Sequence, residues 1–505
     1  MKQGSTSALT RQITTVVWHG KEAIDVLDTA EFRVKWDVLV RNVAFGSVFQ
    51  APNFVLPWYK GNIQEFWPVV LAAFDDGQLV GLLTLARKVH QPKGKLCNRL
   101  IGAGNFYALY QSWLVERPFI QTFWEKGINR LLDDIPGCVI NLKSIQDISI
   151  YNELAGLPDF NRNTVLEKFL NPVLDFRVEG YDKIFAKRHF KSKINRLNRA
   201  GNVVFEKVIS PQRLAEVFPK LATFYALRQG AAFNKTPFEN NDHALSLFSS
   251  WLSEGALHMT CLWLDEALIG AIIMVNDLGK TGHLAGLIAY SPTHAKFSPG
   301  LVQLYQHAML LKEENFQNMK LSPGYDAYKD RFSNKSEEIY ELMISRNQFQ
   351  LLKRRLRNRF RNTLLNRGIR PMELEVESSK WKSRVRKWPC QWWKKLSPLP
   401  VSVAELFQKL DTLKKLDDSV SMELELDNME ALLLSTDKTF DLARWEFLQD
   451  ALNRLEENEH FVTWVRAGQL LCCLWYTGEM VSGEDELIEK ERKGKITQVF
   501  ISEKF

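Results

Sequence analysis

The sequence predicts an α/β (α+β) protein with mixed, mostly antiparallel sheets, arranged as tandem units followed by a basic helical joint and a small α+β tail. Three observations support this prediction. The length of 505 residues suits about two to four domains of roughly 100–200 residues each. One strand-turn-strand pattern occurs three times along the chain. Basic residues concentrate between the second and third copies, and acidic residues predominate in the region that contains the third copy.

The repeated pattern is an apolar run, a short polar turn and a second apolar run, which is typical of a β-hairpin. The copies lie at 68–85, 257–275 and 461–476. In the first two copies a glycine, Gly81 or Gly270, begins the second strand, which indicates that another group packs closely there. Segments with helical spacing of apolar residues precede the second and third copies.

This pattern predicts a division of the chain into four parts, although three hairpins can also occur in a chain without a repeat. The parts are a first unit at 20–165, a second unit at 170–348, a basic joint at 349–397 and a tail domain at 398–505. Half of a third unit is one interpretation of the tail domain.

Cysteine usage and hydropathy predict a cytoplasmic protein. The six cysteines form no Cys-x-x-Cys pair and no cluster with histidine, so we expect no metal site. Cys261 and the pair Cys472–Cys473 lie in apolar runs, as buried thiols do in a reducing compartment. No leader-like apolar stretch opens the chain, and no run of about 18 apolar residues predicts a membrane span.

The segment Ser298–Pro299–Gly300 joins a predicted strand to a long apolar helix that begins with Leu301 and Val302. Proline suits the first turn of a helix, and glycine lets a ligand approach the backbone. The free N–H groups and the dipole of the helix favour an anion such as a pyrophosphate. A simple helix start is the alternative.

Several motifs together resemble the double-unit acetyltransferases of the GNAT superfamily that include CelD-type cellulose-biosynthesis proteins. These are related in fold to FemAB-type peptidoglycan aminoacyltransferases. The resemblance covers roughly residues 20–350. The motifs are Phe49–Gln50–Ala51–Pro52 with Trp58, Phe74–Asp75–Asp76–Gly77, the basic run from Lys187 to Arg199, Ser298–Pro299–Gly300, and Gly324 with Tyr328–Lys329.

The resemblance implies tandem GNAT-like units and an acyl-CoA-dependent N- or O-acyltransferase. Acetyl-CoA or another acyl-CoA would be bound as a substrate by the second unit, without a metal. The acceptor would be a small molecule or carbohydrate precursor, as in cell-envelope or exopolysaccharide synthesis. The coenzyme-binding residues would be Ser298, Gly300, Leu301 and Val302.

The resemblance also implies catalytic and acceptor-binding residues. Tyr328 would protonate the departing thiolate, and Asp326 is the nearest candidate base; a packed tyrosine and a helix cap are the alternatives. His283 is a further candidate base, with a satisfied core histidine as its alternative. Acceptor-binding candidates, with a solvated basic surface as the alternative, are Arg188, Lys191, Arg196, Gly324 and Lys329.

Two departures from the family pattern leave other functions open. Lys320 stands where the family usually carries an aspartate four residues before Gly324, and Ser291 stands where another aspartate is common. They favour a noncatalytic GNAT-fold binding protein. A FemAB-like aminoacyltransferase that uses aminoacyl-tRNA is a further alternative, and other nucleic-acid binding is not expected.

The joint is strongly basic and the tail is acidic. Residues 353–395 contain 15 lysines and arginines against 3 glutamates, whereas residues 396–505 contain 12 against 22 acidic residues. A basic amphipathic helix followed by tryptophans and lysines predicts peripheral contact with an anionic membrane, such as the inner membrane surface. The alternatives are a connector helix whose apolar stripe packs on the body, and binding of nucleic-acid phosphates. We predict a regulatory or docking role for the tail.

Overall fold

The computed structural model describes most of the chain. The described residues are 13–44, 46–89, 98–146, 148–184, 188–238, 242–324, 327–368, 402–416, 422–437, 439–440, 442–481 and 484–502. Among them, no helix is both long and apolar enough to cross a membrane.

The first half of the body is built from seven strands and seven short helices. The strands are β1 (Thr14–His19), β2 (Phe66–Asp75), β3 (Gln78–Lys88), β4 (Arg99–Gly102), β5 (Leu114–Val115), β6 (Val139–Ile145) and β7 (Thr164–Asp175). The helices are α1 (Gly20–Leu27), α2 (Ala30–Asn42), α3 (Pro52–Asn62), α4 (Ile120–Thr122), α5 (Asn129–Asp134), α6 (Ser149–Leu154) and α7 (Pro158–Asn163). A π-helical turn, Phe123–Ile128, joins α4 to α5.

The second half of the body has longer helices. Its strands are β8 (Val203–Val208), β9 (Leu257–Leu264), β10 (Ala267–Asp277), β11 (Thr281–Tyr290), β12 (Asn318–Lys320) and β13 (Lys335–Ile344). Its helices are α8 (Arg188–Asn198), α9 (Pro211–Phe233), α10 (Asp242–Ser253), α11 (Pro299–Glu313), α12 (Ala327–Phe332) and α13 (Gln348–Asn366).

The tail forms a separate four-stranded sheet. Its elements are α14 (Val403–Leu416), β14 (Met422–Leu426), α15 (Met429–Leu433), α16 (Arg444–Glu456), β15 (His460–Arg466), β16 (Gln469–Tyr476), α17 (Glu484–Arg492) and β17 (Ile496–Ile501). The strand order is β14-β15-β16-β17, and all neighbours are antiparallel.

The body contains one large sheet in which the two halves have the same strand arrangement, running from opposite edges towards the centre. The order is β1-β2-β3-β4-β6-β13-β7-β12-β11-β10-β9-β8, with β5 beside β3. The only parallel pairs among the described strands are β4 with β6 and β11 with β12, and these occupy equivalent places in the two halves. The predicted mixed, mostly antiparallel sheet is therefore confirmed.

The two central strands link the halves. β13, the last strand of the second half, pairs with β6 of the first half, from Tyr340 opposite Ile145 to Ile344 opposite Ile140. β7, the last strand of the first half, pairs with β12 of the second half. The first half thus contributes β7 to the second half, and the second half contributes β13 to the first. The halves cannot separate without breaking these ladders.

The three predicted hairpins are confirmed as β2–β3, β9–β10 and β15–β16. Asp76 and Gly77 both have positive φ in the first turn, as a tight two-residue hairpin turn requires. A Cβ on Gly81 would lie 2.6 Å from the ring of Phe123, so close packing there is confirmed. Gly270 differs, because its nearest neighbours are at ordinary contact distance, 3.7 Å.

The largest core lies on one face of the body sheet and spans both halves. It joins α1–α3 to α9 and α10. Phe54 of α3 stacks on Trp251 of α10 with ring centroids 4.2 Å apart. Separate cores on the other face lie under α4–α6 in the first half and under α8 and α11 in the second.

The tail docks on α9. Leu227 and Ala231 of α9 share a core with Leu448 and Ala451 of α16. A Cβ on Gly230 would lie 2.5 Å from Leu448, so glycine allows the two helices to approach closely. Cys261, Cys472 and Cys473 are free and buried, as the sequence predicted.

Helix α13 differs from the connector helix that the sequence allowed. The apolar stripe that the sequence predicts on this helix consists of Leu351, Leu352, Leu356, Phe360, Leu364 and Leu365. Of these only Leu351 is fully buried, whereas Leu352, Leu356 and Phe360 are exposed. Arg354 and Arg361 instead attach the helix to the body through ion pairs with the buried Glu167. The alternative that the whole stripe packs on the body is therefore wrong.

Candidate functional site

A fork between β11 and β12 is the central feature of the second half. The two strands pair in parallel only from Thr281 opposite Asn318 to His283 opposite Lys320. β12 then ends, whereas β11 continues to Tyr290. Over that continuation no described strand pairs with the β12 side of β11. An extended ligand could therefore reach its backbone groups.

The predicted anion-binding turn lies where the chain returns from β11 to α11. Ser298 adopts a left-handed conformation, φ 55° and ψ 51°, and Pro299 is the first residue of the helix. A Cβ on Gly300 would lie 3.0 Å from the ring of Tyr290, so glycine lets α11 begin against the end of β11. Leu301 and Val302 complete the first turn, and the positive end of the helix dipole lies there.

A cluster of cations lies beside this turn. The Lys193 ammonium of α8 donates a hydrogen bond to the Ser298 hydroxyl at 2.6 Å. The Arg196 guanidinium lies 5.9 Å from the ring centroid of Phe297, just before the turn. Burial lowers the pKa of Lys193, and the neighbouring charges of Arg331 and Arg196 lower it further. Because these cations repel one another, a bound anion would stabilise the cluster.

The structure selects among the predicted basic residues of α8. Arg196 lies near the α11 turn, but Lys191 is exposed, and the side chain of Arg188 lies outside the described residues. Sequence reasoning missed Lys193 and Arg331 as site residues. Lys193 lies three residues before Arg196, and that spacing places both on one side of a helix. No local pattern could bring Arg331, on α12, to the same place.

Helix α12 carries the predicted catalytic tyrosine. Tyr328 is half-buried against the core under α11. Lys329 is buried, which contradicts the solvated-lysine alternative, and its ammonium donates to the Pro323 carbonyl at 3.3 Å. Gly324 has a φ of 142° in the preceding turn, and Asp326 lies outside the described residues. The roles of Tyr328, Lys329 and Gly324 stay predictions.

His283, at the fork, forms a buried pair with a carboxylate. Its Nε2 lies 2.7 Å from Oδ2 of Asp277, across the β10–β11 hairpin. The other Asp277 oxygen accepts hydrogen bonds from the N–H groups of Val48 and Leu278, at 2.7 and 2.8 Å. Val48 precedes the Phe49–Gln50 motif of the first half, so Asp277 ties that motif to the fork.

The electrostatics of this pair favour a neutral imidazole beside a charged carboxylate. Burial lowers the pKa of His283, and Asp277 only partly offsets this effect. Burial opposes the charge of Asp277, but hydrogen bonds, with that from His283 the largest, lower its pKa overall. His283 then donates through Nε2, and its Nδ1 is left buried with no hydrogen-bond partner among the described residues. A neutral nitrogen in this state can accept a proton.

Both residues that depart from the family pattern have defined partners. Lys320 is buried, pairs with Glu337 at 2.9 Å and lies 5.4 Å from the ring centroid of Tyr110. Tyr110 also contacts the His283 ring, with centroids 4.7 Å apart. Ser291 is buried and lies 2.9 Å from Nδ1 of His294. Lys320 is thus part of the fork, whereas Ser291 belongs to the turn that follows β11.

A second buried polar network lies between β9 and α11. His258 Nε2 lies 2.9 Å from Glu314, and His307 Nδ1 lies 2.8 Å from the Thr260 hydroxyl. Burial lowers the pKa of both histidines. Nδ1 of His258 and Nε2 of His307 are also buried with no hydrogen-bond partner among the described residues. An unpaired ring nitrogen therefore does not by itself distinguish His283, whose position at the fork does.

These lowered pKa values predict that acid destabilises the protein. A histidine with a lower pKa in the folded state binds fewer protons folded than unfolded, so stability falls as pH drops below about 6.5. We expect the melting temperature to fall between pH 7 and pH 5. The variant His307→Gln should flatten this dependence, and the exposed His243→Gln should not. Equal slopes in all three proteins would contradict the assignment.

Metal ligands are a separate question. Within the described part of the chain, no group of three or more His, Cys, Asp or Glu side chains could hold a metal ion.

The second half thus combines strands β8–β12 with α11 and a fork beside the N-terminus of that helix. The family model described as an acetyltransferase (GNAT) domain matches residues 185–330. This match covers α8, the fork, the α11 turn and most of α12, and it indicates a GNAT-like fold for that part of the chain. No curated protein matches the chain in sequence.

Several solved structures are similar to part of the chain at low identity. One is the C-terminal domain (DUF2156) of a putative lysylphosphatidylglycerol synthetase from Agrobacterium fabrum, with 14% identity over 66% of this chain and 96% of that chain, and a TM-score of 0.42. FemX matches at 12% identity over 63% and 98%, with a TM-score of 0.45. A tandem GNAT protein from the clavulanic acid biosynthesis pathway matches at 12% over 66% and 98%, with a TM-score of 0.38.

Proposed function

We propose that this protein is an acyl-CoA-dependent N- or O-acyltransferase whose acceptor is a sugar or a cell-envelope or exopolysaccharide precursor. The observation that carries the proposal is the Lys193 ammonium bonded to Ser298 at the start of α11, with Arg196 against Phe297, beside the open edge of β11. The proposal covers the acyl donor and the acceptor, which go beyond the presence of the GNAT-type domain.

The residues at this place fit the two chemical parts of a coenzyme A thioester. The first turn of α11 supplies the positive end of a helix dipole for the pyrophosphate, and Lys193 and Arg196 add charge. The N–H groups of Leu301 and Val302 already donate to the Ser298 carbonyl, at 3.0 and 3.3 Å. The unpaired edge of β11 offers peptide groups for the amide-containing arm. When bound, the coenzyme supplies the acyl group as a thioester, and no metal is needed for that transfer.

His283 and Tyr328 divide the proton chemistry in this proposal. The nitrogen or oxygen of the acceptor forms a bond to the acyl carbon as the carbon–sulfur bond breaks. His283 Nδ1 takes the acceptor's proton, while Asp277 holds the imidazole in the required tautomer. Tyr328 gives a proton to the departing thiolate. Phe49 and Tyr110 shield His283 from solvent, so their rings must move for an acceptor to reach it.

The acceptor is proposed to enter between the halves. Lys320, Glu337 and Asn171 lie near Tyr110 at this junction and would hydrogen-bond hydroxyl or amine groups. Gln50, from the first half, donates to the Tyr110 carbonyl at 2.7 Å. These neutral and charged donors and acceptors suit a polyhydroxylated acceptor more closely than an apolar one.

Calorimetric titration with acetyl-CoA tests the proposed donor. We expect wild-type protein to bind, and Lys193→Glu to weaken binding by on the order of tenfold to a hundredfold, because a charge-assisted hydrogen bond is replaced by repulsion. Lys220→Glu, an exposed lysine on α9, makes the same charge change and should bind normally. Gly300→Glu should abolish binding, but the new side chain would also press on the Tyr290 ring, so this variant is less specific.

The outcomes separate the candidate functions. Equal loss in Lys193→Glu and Lys220→Glu would remove the α11 turn as the binding place. No binding by wild-type protein would overturn the acyl-CoA proposal, and titration with aminoacyl-tRNA would then test the FemAB-like alternative. Binding without thiol release, across a panel of amino sugars, would favour a noncatalytic binding protein.

A further inference from the structure

The outward side of α13 carries an apolar stripe. Phe349, Leu352, Leu356 and Phe360 are 71%, 52%, 54% and 64% exposed. Their spacing of three, four and four residues places them on one side of the helix. Isolated exposed apolar residues are common, but four in a row along one helix form a continuous surface.

The opposite side of α13 holds the helix on the body, so the stripe has a fixed direction. Arg354 pairs with Glu167 at 2.6 Å and with Glu341 at 2.5 Å. Arg361 pairs with Glu167 at 2.9 Å and stacks 3.9 Å from the ring centroid of Phe169. Because these contacts are largely buried, α13 cannot turn its apolar side inward without breaking them.

Exposed basic residues flank the stripe. Lys353 and Arg357 lie along one border, and Arg359 lies along the other. The 19 residues of α13 include no aspartate or glutamate. A surface with apolar side chains in the middle and cations at its borders matches the boundary between lipid headgroups and acyl chains.

We propose that α13 is a membrane-docking helix that binds anionic phospholipid surfaces through Phe349, Leu352, Leu356 and Phe360 with their flanking cations. Charge complementarity favours this occupant over the same helix of a second copy, because both helices would carry basic borders and no acidic residue. The inference does not depend on acyl transfer, because it is tested without coenzyme.

Flotation of the full chain with lipid vesicles tests the proposal. We expect binding to phosphatidylcholine vesicles that contain phosphatidylglycerol, little binding to pure phosphatidylcholine, and weaker binding as salt rises. The double variant Leu352→Gln/Leu356→Gln should reduce binding by on the order of tenfold or more. The matched control is Val34→Gln/Val38→Gln, an exposed pair with the same spacing on α2, 64% and 45% exposed, and it should bind normally.

Three results would overturn the proposal. One is equal binding by both double variants. Another is a wild-type protein that does not bind anionic vesicles; a melting temperature that Leu352→Gln/Leu356→Gln lowers would then indicate that the stripe is covered within the protein itself. The third is a wild-type dimer in sedimentation that the same variant dissociates, without vesicle binding. Failure of acetyl-CoA binding would leave all of these outcomes unchanged.

Discussion

Replacing His283 with glutamine is expected to lower kcat/KM for thiol release from acetyl-CoA by about 10²–10⁴-fold, the usual contribution of a general base. The expectation rests on the His283 Nδ1, which is neutral, buried and without a partner among the described residues. The rate of coenzyme A thiol release at pH 7.5, with an amino sugar that the wild-type protein acylates, measures the effect. Binding of acetyl-CoA should be unchanged, because His283 is not part of the α11 turn.

The control for this variant is another buried histidine–carboxylate pair. His258 bonds to Glu314 at 2.9 Å and is as buried as His283, but it lies on β9, away from the fork. His258→Gln should cost stability without a comparable loss of kcat/KM in the folded protein. If His283→Gln is folded and fully active, the pair with Asp277 only links the two halves.

The pH profile separates a positioning role for Asp277 from a merely structural one. Asp277 raises the pKa of His283 against the larger effect of burial. Asp277→Asn should therefore move the acidic limb of the kcat/KM profile to lower pH. A structural role alone would lower activity without moving that limb.

Local patterns in the sequence were enough to predict the hairpins and the fold class. The alternation of apolar and polar residues and the tight turns are set by near neighbours, so β2–β3, β9–β10 and β15–β16 were predictable. The exchange of β7 and β13 at the centre of the sheet was not. It depends on pairing between strands far apart in the chain, such as Ile344 with Ile140, and such pairing has no local signal.

The candidate site divides in the same way. The Ser298–Pro299–Gly300 turn was predictable because helix starts have a local residue preference. The partner of that turn was harder to predict, since Lys193 reaches it from another helix, α8. His283 was visible as a lone histidine in a strand, and Asp277, only six residues before it, is the signal that could have marked it as a pair. The stripe on α13 was visible, but only the ion pairs of Arg354 and Arg361 show which side faces outward.

Trp251→Ala is expected to lower the free energy of unfolding by about 3–5 kcal/mol, the usual cost of a large cavity in a core. Trp251 is 1% exposed, stacks on Phe54 at 4.2 Å and donates from its indole N–H to the Phe54 carbonyl at 3.3 Å. It thus joins the helices of the two halves, and its loss should weaken both together, because β7 and β13 already link them.

Urea denaturation followed by circular dichroism measures this loss. The control is Trp67→Ala, because Trp67 lies on the same sheet but is 40% exposed, and it should cost less than about 1.5 kcal/mol. Equal losses for the two tryptophans would show that the packing between α3 and α10 contributes little. A two-step transition in the Trp251 variant would show that the halves unfold separately, and the exchanged central strands would then not couple them.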